Sequence, residues 1–170
     1  MTSDLQNREE AVSVGFEQHD HSACVTDAIA SADARCEKEN LRFTPVRRKV
    51  LQVLLEDHKA LGAYAILERL REAGFGSQPP VAYRALDFLV EHGFVHKIER
   101  LNAFVACAHP GEAHAPAFMI CRNCEIVAEA QSTPEKGALG EAAKTSGFRI
   151  ERTIIEVEGL CPTCVGKENS

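Results

Sequence analysis

The chain has 170 residues, seven cysteines and a formal net charge of −6 at pH 7. This length lies between one and two average domains, so two modules fit only if both are small and stapled by a metal, a disulfide or a partner subunit. No stretch is long and apolar enough to span a membrane, and the N-terminus lacks the apolar core of a secretory signal. We therefore expect a cytoplasmic protein with reduced thiols and no membrane partner.

The charge changes sign along the sequence. Residues 1–40 carry 3 basic and 9 acidic groups, residues 41–100 carry 10 and 7, and residues 101–170 carry 6 and 9. The basic middle segment contains a cluster without an intervening acid, formed by Arg42, Arg47, Arg48 and Lys49. Such a cluster suits a phosphate backbone and equally suits a solvated helix face, so the acidic total does not exclude DNA as a partner.

The first 25 residues are polar, acidic and without sustained periodicity. We interpret residues 1–25 as a flexible N-terminal extension without an assigned function. His19, His21 and Cys24 have metal-ligand chemistry at close spacing, so a weak accessory contact is an alternative to a solvated tail.

Residues 26–108 have the pattern of a winged helix-turn-helix. Apolar periodicity with start and stop residues predicts helices at about 26–40, 44–57, 63–73 and 79–92. Two short β-type runs follow, at 94–98 and 103–107, with a polar turn at Asn102. In this arrangement the helix before the hairpin is offered to the major groove, and we assign the segment to DNA binding.

That fourth helix has one apolar face, formed by Ala82, Leu86, Leu89 and Val90. Arg84 then points outward, where it is either an ordinary surface charge or a reader of guanine O6 and N7. Tyr83 flanks the apolar face, so it is either half-buried or in contact with a base.

The remainder predicts a small α+β unit over residues 116–170, joined by a linker at 109–115. Strands are expected at 117–120, 126–130 and 148–157, with a helix at about 134–146. The core of this unit is thin, so a dimer interface, a metal, or both are expected to complete it. The predicted fold class is therefore α+β, with an N-terminal winged helix and a C-terminal dimerisation domain.

Two CxxC pairs lie in this unit, Cys121-Cys124 and Cys161-Cys164. Four thiolates satisfy a tetrahedral zinc without an open position, which makes such a site structural. A redox pair is expected at a helix N-terminus, and the sequence predicts neither pair there. Cys36 is predicted to be a buried apolar residue of the first helix.

Further potential ligands lie around the linker: His96, Cys107, His109, Glu112, His114, Glu125 and Glu129. Thiolate, imidazole and carboxylate together suit zinc better than a hard cation. His96 belongs to the DNA-binding module, so a metal that it shares with the other module would fix the angle between them. Without Cys107 nearby, His96 would be interpreted as an interior histidine.

The segments LRFTPVRRKVL, PPVAYRALDFLVEHGFVHKIE, CRNC and CPTC resemble the ferric uptake regulator family, and YRALDFLVEHGFVHK is most similar to its zinc-sensing branch. The similarity covers about residues 26–165. It implies a homodimeric repressor that binds inverted-repeat operators of zinc-uptake genes when zinc-loaded, with about two zinc ions per subunit. Whether two dimers share one operator is left open.

The resemblance also implies roles for individual residues. The regulatory zinc ligands fall on His96, Cys107, His114 and Glu129, and the structural ligands on Cys121, Cys124, Cys161 and Cys164. The DNA-reading residues fall on Tyr83 and Arg84, and a backbone contact on Tyr64, beside the basic cluster of Arg42, Arg47 and Arg48. Only the resemblance favours His114 and Glu129 over His109 and Glu112 as ligands of the regulatory zinc.

The sequence departs from the family pattern in two places. The iron-sensing branch has an HHDH segment where this chain has AHPGEAHA, and no histidine follows Glu129, so we do not expect an iron or peroxide sensor. Val81 and Ala82 stand where the family usually has threonine or serine before the DNA-reading tyrosine, so the operator sequence of a relative cannot be assumed for this chain.

Two other functional classes remain for comparison. A CxxC oxidoreductase would need an open metal position or a low-pKa thiol in a cleft, and neither follows from the sequence. A zinc-stabilised interaction module would lack a reversible second metal. We predict a non-enzymatic regulator.

Overall fold

The computed structural model describes residues 21–57, 59–76, 78–112 and 114–168. Its elements, in chain order, are α1 (His21–Lys38), α2 (Pro45–Leu55), α3 (Ala63–Glu72), α4 (Pro79–Glu91), β1 (Val95–Ile98), β2 (Ala103–Ala106), β3 (Ala115–Cys121), β4 (Val127–Ser132), a 3-10 turn (Pro134–Lys136), α5 (Ala138–Ser146), β5 (Ile155–Gly159) and α6 (Pro162–Glu168). Four helices and a hairpin precede a mixed sheet, which confirms the α+β class. Within these residues, no helix is both long and apolar enough to cross a membrane.

Helix α1 begins at His21, earlier than the predicted start at Thr26. The Thr26 hydroxyl donates to the Ser22 carbonyl at 3.0 Å, a bond from within a helix to the preceding turn, so Thr26 lies inside α1. Cys24 is exposed, whereas Cys36 is buried as predicted. Residues 1–20, including His19, lie outside the described residues.

The helical core follows the predicted start and stop residues. The Thr44 hydroxyl caps α2 by accepting from the Arg47 amide at 3.4 Å, and Pro45 opens the helix. After α4, Gly93 adopts a φ of 70°, a conformation that favours glycine, and the chain turns directly into β1. The buried face of α4 consists of Ala82, Ala85, Leu86, Phe88 and Leu89.

Strands β1 and β2 and the turn between them form the wing. They pair antiparallel, with His96 opposite Val105 and Ile98 opposite Ala103. The backbones of Leu61 and Phe104 exchange two hydrogen bonds of 2.9 Å, which anchors the wing beside the helices. The wing and the sheet share one apolar cluster, formed by Ile98, Val105, Phe118, Ile120 and Val127. The two modules therefore pack on each other directly.

The three-stranded sheet has the order β4-β3-β5, with β3 antiparallel to β4 and parallel to β5. The strand predicted to start at residue 148 begins only at Ile155, which pairs with Ala117. Strand β3 begins at Ala115, two residues before Ala117, so in this register it offers no partner to the residues near 148. The short helix α6 was not predicted from the sequence.

Candidate metal centres and nucleic-acid interface

The two CxxC pairs converge at one end of the sheet. Cys121 ends β3, Cys124 lies in the turn toward β4, and the other pair lies where β5 leads into α6. One ligand atom from each of the four thiols lies within 4.8 Å of the others, and the Sγ atoms of Cys124 and Cys161 are 3.7 Å apart. All four thiols are free. We call these four residues the cysteine cluster.

Local backbone geometry orients the sulfur atoms of the first pair, Cys121 and Cys124. Glu125 adopts a left-handed conformation with a φ of 61°, and its amide donates to the Cys121 carbonyl at 2.9 Å. The Cys121 amide donates in turn to the Ile126 carbonyl at 3.0 Å. This tight turn brings both sulfurs of the CRNC segment to the same side.

Hydrogen bonds to sulfur prepare the cysteine cluster for negative charge. The Cys161 amide donates to Cys121 Sγ at 3.3 Å, and the Asn123 side-chain amide donates to Cys164 Sγ at 3.4 Å. Burial raises the pKa of Cys121, but hydrogen bonds from the backbone amides of Cys161, Cys124 and Asn123 outweigh burial and lower this pKa to about 6.

The sulfurs also oppose one another's ionisation. The backbone amide of Ile126 lowers the pKa of Cys124, but burial and the neighbouring sulfurs outweigh it and raise the value to about 11. Four adjacent thiolates therefore require a cation, and an all-sulfur set without an open side fits zinc.

The second CxxC pair lies at the start of α6. Cys161 directly precedes the helix, Pro162 occupies its first position, and Cys164 lies in its first turn. The expectation that neither pair stands at a helix start is therefore wrong for Cys161 and Cys164. The approach of Cys121 and Cys124 to this pair still favours a four-thiolate metal site over a two-thiol redox site.

A second cluster forms between the two modules. It brings together His96 of β1, Cys107 after β2, His114 before β3 and Glu129 of β4, with one ligand atom of each within 4.8 Å of the others. We call these four residues the mixed cluster. It joins the wing to the sheet, the arrangement that a metal shared by the two modules requires.

Glu129 is the one charged residue that is fully buried in the described part of the chain. Its Oε2 accepts from the Ala108 amide at 2.8 Å, while its Oε1 lies 2.7 Å from His114 Nε2 and 3.2 Å from His96 Nε2. Burial raises the pKa of Glu129, but the two imidazoles and the Ala108 amide outweigh burial and lower it. The cluster therefore holds a carboxylate rather than a carboxylic acid.

The two histidines direct nitrogen atoms into the cluster. His114 Nδ1 lies 2.8 Å from the Glu112 carbonyl, a contact that orients the ring with Nε2 facing Glu129. His96 Nε2 is buried and makes no properly aligned hydrogen bond, although Glu129 is near. A buried nitrogen without such a bond, beside a carboxylate and a thiol, fits a zinc ligand set.

Cys107 completes this set. Its Sγ lies 3.7 Å from His114 Nε2 and 3.9 Å from Glu129 Oε1. Burial and the carboxylate of Glu129 raise the pKa of Cys107 to about 12. A thiolate and a carboxylate at this separation require a bound cation.

The competing candidates from the linker lie outside the mixed cluster. The ring of His109 is 6.1 Å from that of His114, and Glu112 contributes its backbone carbonyl while its carboxylate accepts from Gln131 at 3.5 Å. Geometry thus separates His114 and Glu129 from these alternatives, which sequence reasoning alone left open.

The expected DNA-facing residues lie on the outer side of α3 and α4. Tyr83 and Arg84 are exposed, on the side of α4 away from its buried face. Tyr64, in the first turn of α3, is 84% exposed. These three side chains are available to a partner.

The basic cluster is partly engaged within the chain. Arg48 forms a two-pronged ion pair with Asp33 of α1, and Arg47 lies 3.6 Å above the Phe88 ring. Arg42 is exposed. No sequence pattern predicted the ion pair of Arg48 with Asp33, because the two residues are far apart along the chain.

The sequence profile described as "Ferric uptake regulator family" matches residues 38–158. The chain belongs to the ferric uptake regulator family. It is 38% identical over 143 residues to the zinc uptake regulation protein of Escherichia coli (strain K12), which covers 84% of this chain and 84% of that protein.

Solved structures of zinc uptake regulators have a similar fold. A zinc uptake regulator complexed with zinc and DNA superposes with a TM-score of 0.80 at 37% identity, covering 86% of this chain and 98% of that chain. The crystal structure of holo XcZur gives 0.74 at 40% identity, covering 82% and 98%. Within the ferric uptake regulator family, this chain is thus similar to zinc regulators over most of its length.

Proposed function

We propose that the chain is a zinc-responsive transcriptional repressor, which binds inverted-repeat operators of zinc-uptake genes in its zinc-loaded form. The observation that carries this proposal is the mixed cluster, because its four potential ligands come from both modules. The similarity to a regulator complexed with zinc and DNA supports the same function. The family consists of transcriptional regulators, so no enzymatic activity is assigned.

Zinc is the preferred metal on the chemistry of the donors. The mixed cluster combines one sulfur, two imidazole nitrogens and one carboxylate oxygen, and the cysteine cluster offers four sulfurs. Thiolates select soft or borderline metals over iron(II) and manganese. We therefore assign a regulatory zinc to His96, Cys107, His114 and Glu129, and a structural zinc to Cys121, Cys124, Cys161 and Cys164.

The two sites have different tasks. The cysteine cluster ties the β3–β4 turn to the start of α6, so its zinc would complete the core of one module. In the mixed cluster, zinc supplies the positive charge that a thiolate beside Glu129 needs. His96 then holds the wing, and with it α4, at a fixed angle to the sheet.

We further propose a winged-helix DNA-binding domain at residues 26–108, a linker at 109–115 and a dimerisation domain at 116–170, in a cytoplasmic protein. Two of these boundaries fall near the mixed cluster, since Cys107 precedes the linker and His114 lies near its end. Changes in the linker would therefore be transmitted to the wing.

A homodimer accounts for the exposed apolar side chains of the C-terminal module. Leu139, Phe148, Val157 and Val165 are all exposed there. Strand β5 is an edge strand of the sheet. A two-fold dimer presents two α4 helices at a fixed separation, which matches an inverted repeat.

On DNA, we assign base contacts in the major groove to Tyr83 and Arg84. Backbone contacts are assigned to Tyr64 and Arg42, with Arg47 and Arg48 as further candidates. The exposure of Tyr64, Tyr83 and Arg84 supports this set. Arg48 could contribute fully only if DNA phosphates competed with Asp33 for its guanidinium.

The test is operator binding by the purified full-length protein, followed by fluorescence anisotropy while zinc, iron(II) or manganese is titrated. We expect zinc to induce tight binding to an inverted-repeat operator and not to a scrambled duplex. Operator binding that is unchanged by zinc would instead indicate an interaction module whose metal is purely structural.

A further inference from the structure

The turn of the wing is held by two carboxylates of β5. Glu156 accepts from two successive backbone amides, Glu99 at 2.7 Å and Arg100 at 3.0 Å. Glu158 accepts from Arg100 Nε at 2.8 Å and lies 2.6 Å from a terminal nitrogen of the same guanidinium. We call these four residues the wing–β5 contact.

This contact stands at the margin of the apolar interface between the modules. Glu156 and Glu158 alternate along β5 and therefore lie on the same face, opposite Phe118 and Ile120 of β3 in the parallel register. Phe118 and Ile120 are buried together with Ile98 of the wing. The carboxylates thus hold the wing turn where the apolar packing ends.

The wing–β5 contact and the mixed cluster act on the same strand. His96 and Ile98 both belong to β1, and Glu99 follows directly at the turn. A four-residue strand paired along its length transmits a displacement of the turn to His96. Any tilt of the wing away from β5 therefore changes the distance from His96 to Glu129.

We propose that Glu156 and Glu158 are positioning residues that hold the wing on the sheet without metal, so that zinc at the mixed cluster completes an arrangement already favoured. This inference rests on the proposed function. It predicts that the wing–β5 contact strengthens both operator binding and zinc binding, because both require the same closed arrangement.

The direction of the change in operator affinity distinguishes a positioning role of Glu156 from a general effect of its charge on DNA binding. Removing a negative charge from a DNA-binding protein normally strengthens its attraction to phosphates. If Glu156 holds the wing, its removal should instead weaken operator binding, because the wing and α4 lose part of their fixed orientation.

The experiment compares full-length Glu156→Gln with Glu151→Gln as the matched control. Glu151 lies shortly before β5 and is highly exposed, and its ion pair is with Arg149, two positions away in the chain. At saturating zinc we expect Glu156→Gln to bind the operator about three- to tenfold more weakly, since glutamine retains one of the two acceptors. Zinc affinity at the mixed cluster should fall by a similar factor. The control should bind the operator as tightly as the parent protein, or more tightly.

Controls for folding and a charge exchange accompany this comparison. Zinc content and the dimer elution volume show whether Glu156→Gln remains folded. The double variant Arg100→Glu with Glu158→Arg exchanges the two partners of the ion pair, and it should regain at least part of the operator affinity that either single variant loses. We expect the double variant to fold, because both side chains are exposed.

Amide hydrogen exchange provides the readout that does not depend on DNA. Exchange at Glu99 and Arg100 should be slow in the parent protein and at least tenfold faster in Glu156→Gln. Unchanged exchange together with unchanged or tighter operator binding would overturn the inference. A parent protein with protected wing amides but no zinc-dependent operator binding would refute the proposed function while leaving the contact itself supported.

Discussion

Replacing Cys107 with serine is the most informative change at the mixed cluster. The substitution keeps the size of the side chain and removes the soft ligand, while His96, His114 and Glu129 remain. We expect a folded dimer with its cysteine cluster intact, which binds the second zinc per subunit much more weakly through the three remaining ligands. This variant should no longer bind the operator in response to zinc.

The repulsion between the two anionic ligands, the Cys107 thiolate and the Glu129 carboxylate, depends on their separation. At 3.9 Å between Cys107 Sγ and Glu129 Oε1, two unit charges repel by about 4 kcal/mol at an effective dielectric constant of about 20. Burial, and then the Glu129 carboxylate, raise the pKa of Cys107 from 9.0 to about 12, which corresponds to roughly 4 kcal/mol in all, so repulsion by Glu129 accounts for only part of that rise. Zinc binding must overcome this cost by displacing the thiol proton.

The raised pKa of Cys107 makes zinc binding at the mixed cluster dependent on pH. Below pH 12 the metal-free thiol is protonated, so each zinc bound at this site releases one proton from Cys107. Zinc affinity should therefore increase about tenfold per pH unit from this residue alone. In Cys107→Ser that contribution disappears, and protons released by groups common to both proteins cancel in the comparison.

The assay is competition for zinc with a chromophoric chelator, at several pH values between about 7 and 8.5. The logarithm of the affinity should have a slope against pH that is larger by about one in the parent protein than in Cys107→Ser. Equal slopes, or full zinc-dependent operator binding by the variant, would refute the assignment of Cys107 as a ligand.

Four other substitutions test the remaining sites. Cys124→Ser should yield unfolded or monomeric protein, and a stable zinc-free dimer by circular dichroism and size-exclusion chromatography would contradict a structural zinc. Arg84→Ala should cost about 1–3 kcal/mol of operator affinity and relax specificity at one position per half-site, whereas equal losses on random DNA would exclude base contact. Arg42→Ala should weaken binding to all sequences and reduce the salt slope by about one, with a smaller effect for Arg48→Ala because Asp33 already neutralises its charge.

Much of the fold could be predicted because local signals were strong. Thr44, Pro45 and Gly93 mark helix ends by physical rules that depend on a few neighbouring residues, and α2 and α4 begin and end close to the predicted positions. The apolar alternation of the hairpin likewise predicted the wing. These elements need no information from distant parts of the chain.

The errors arose where distant partners decide the structure. The start of β5 depends on where its partner β3 begins, and β3 begins at Ala115, two residues before the first parallel pair, Ala117 with Ile155. Helix α6 overlaps a CxxC pair, whose cysteines have no periodicity that indicates a helix. The start of α1 was missed because alanine and serine give a weak apolar pattern.

The candidate metal ligands show the same division. The four CxxC cysteines are recognisable from spacing, whereas the mixed cluster combines residues from four segments and needed the family resemblance to select His114 and Glu129. The wing–β5 contact had no sequence signal, because Glu156 accepts from backbone amides of Glu99 and Arg100, and a backbone amide is present at almost any residue.

We expect metal at the mixed cluster, and not at the cysteine cluster, to control operator binding. The most direct measurement prepares the parent protein with about one and with about two zinc ions per subunit, and compares their affinities for operator and scrambled DNA at the same ionic strength. We predict that the one-zinc form is a folded dimer with similar weak affinity for both duplexes, and that the second zinc increases operator affinity by at least a hundredfold. Equal operator affinity of the one-zinc and two-zinc forms would contradict the account.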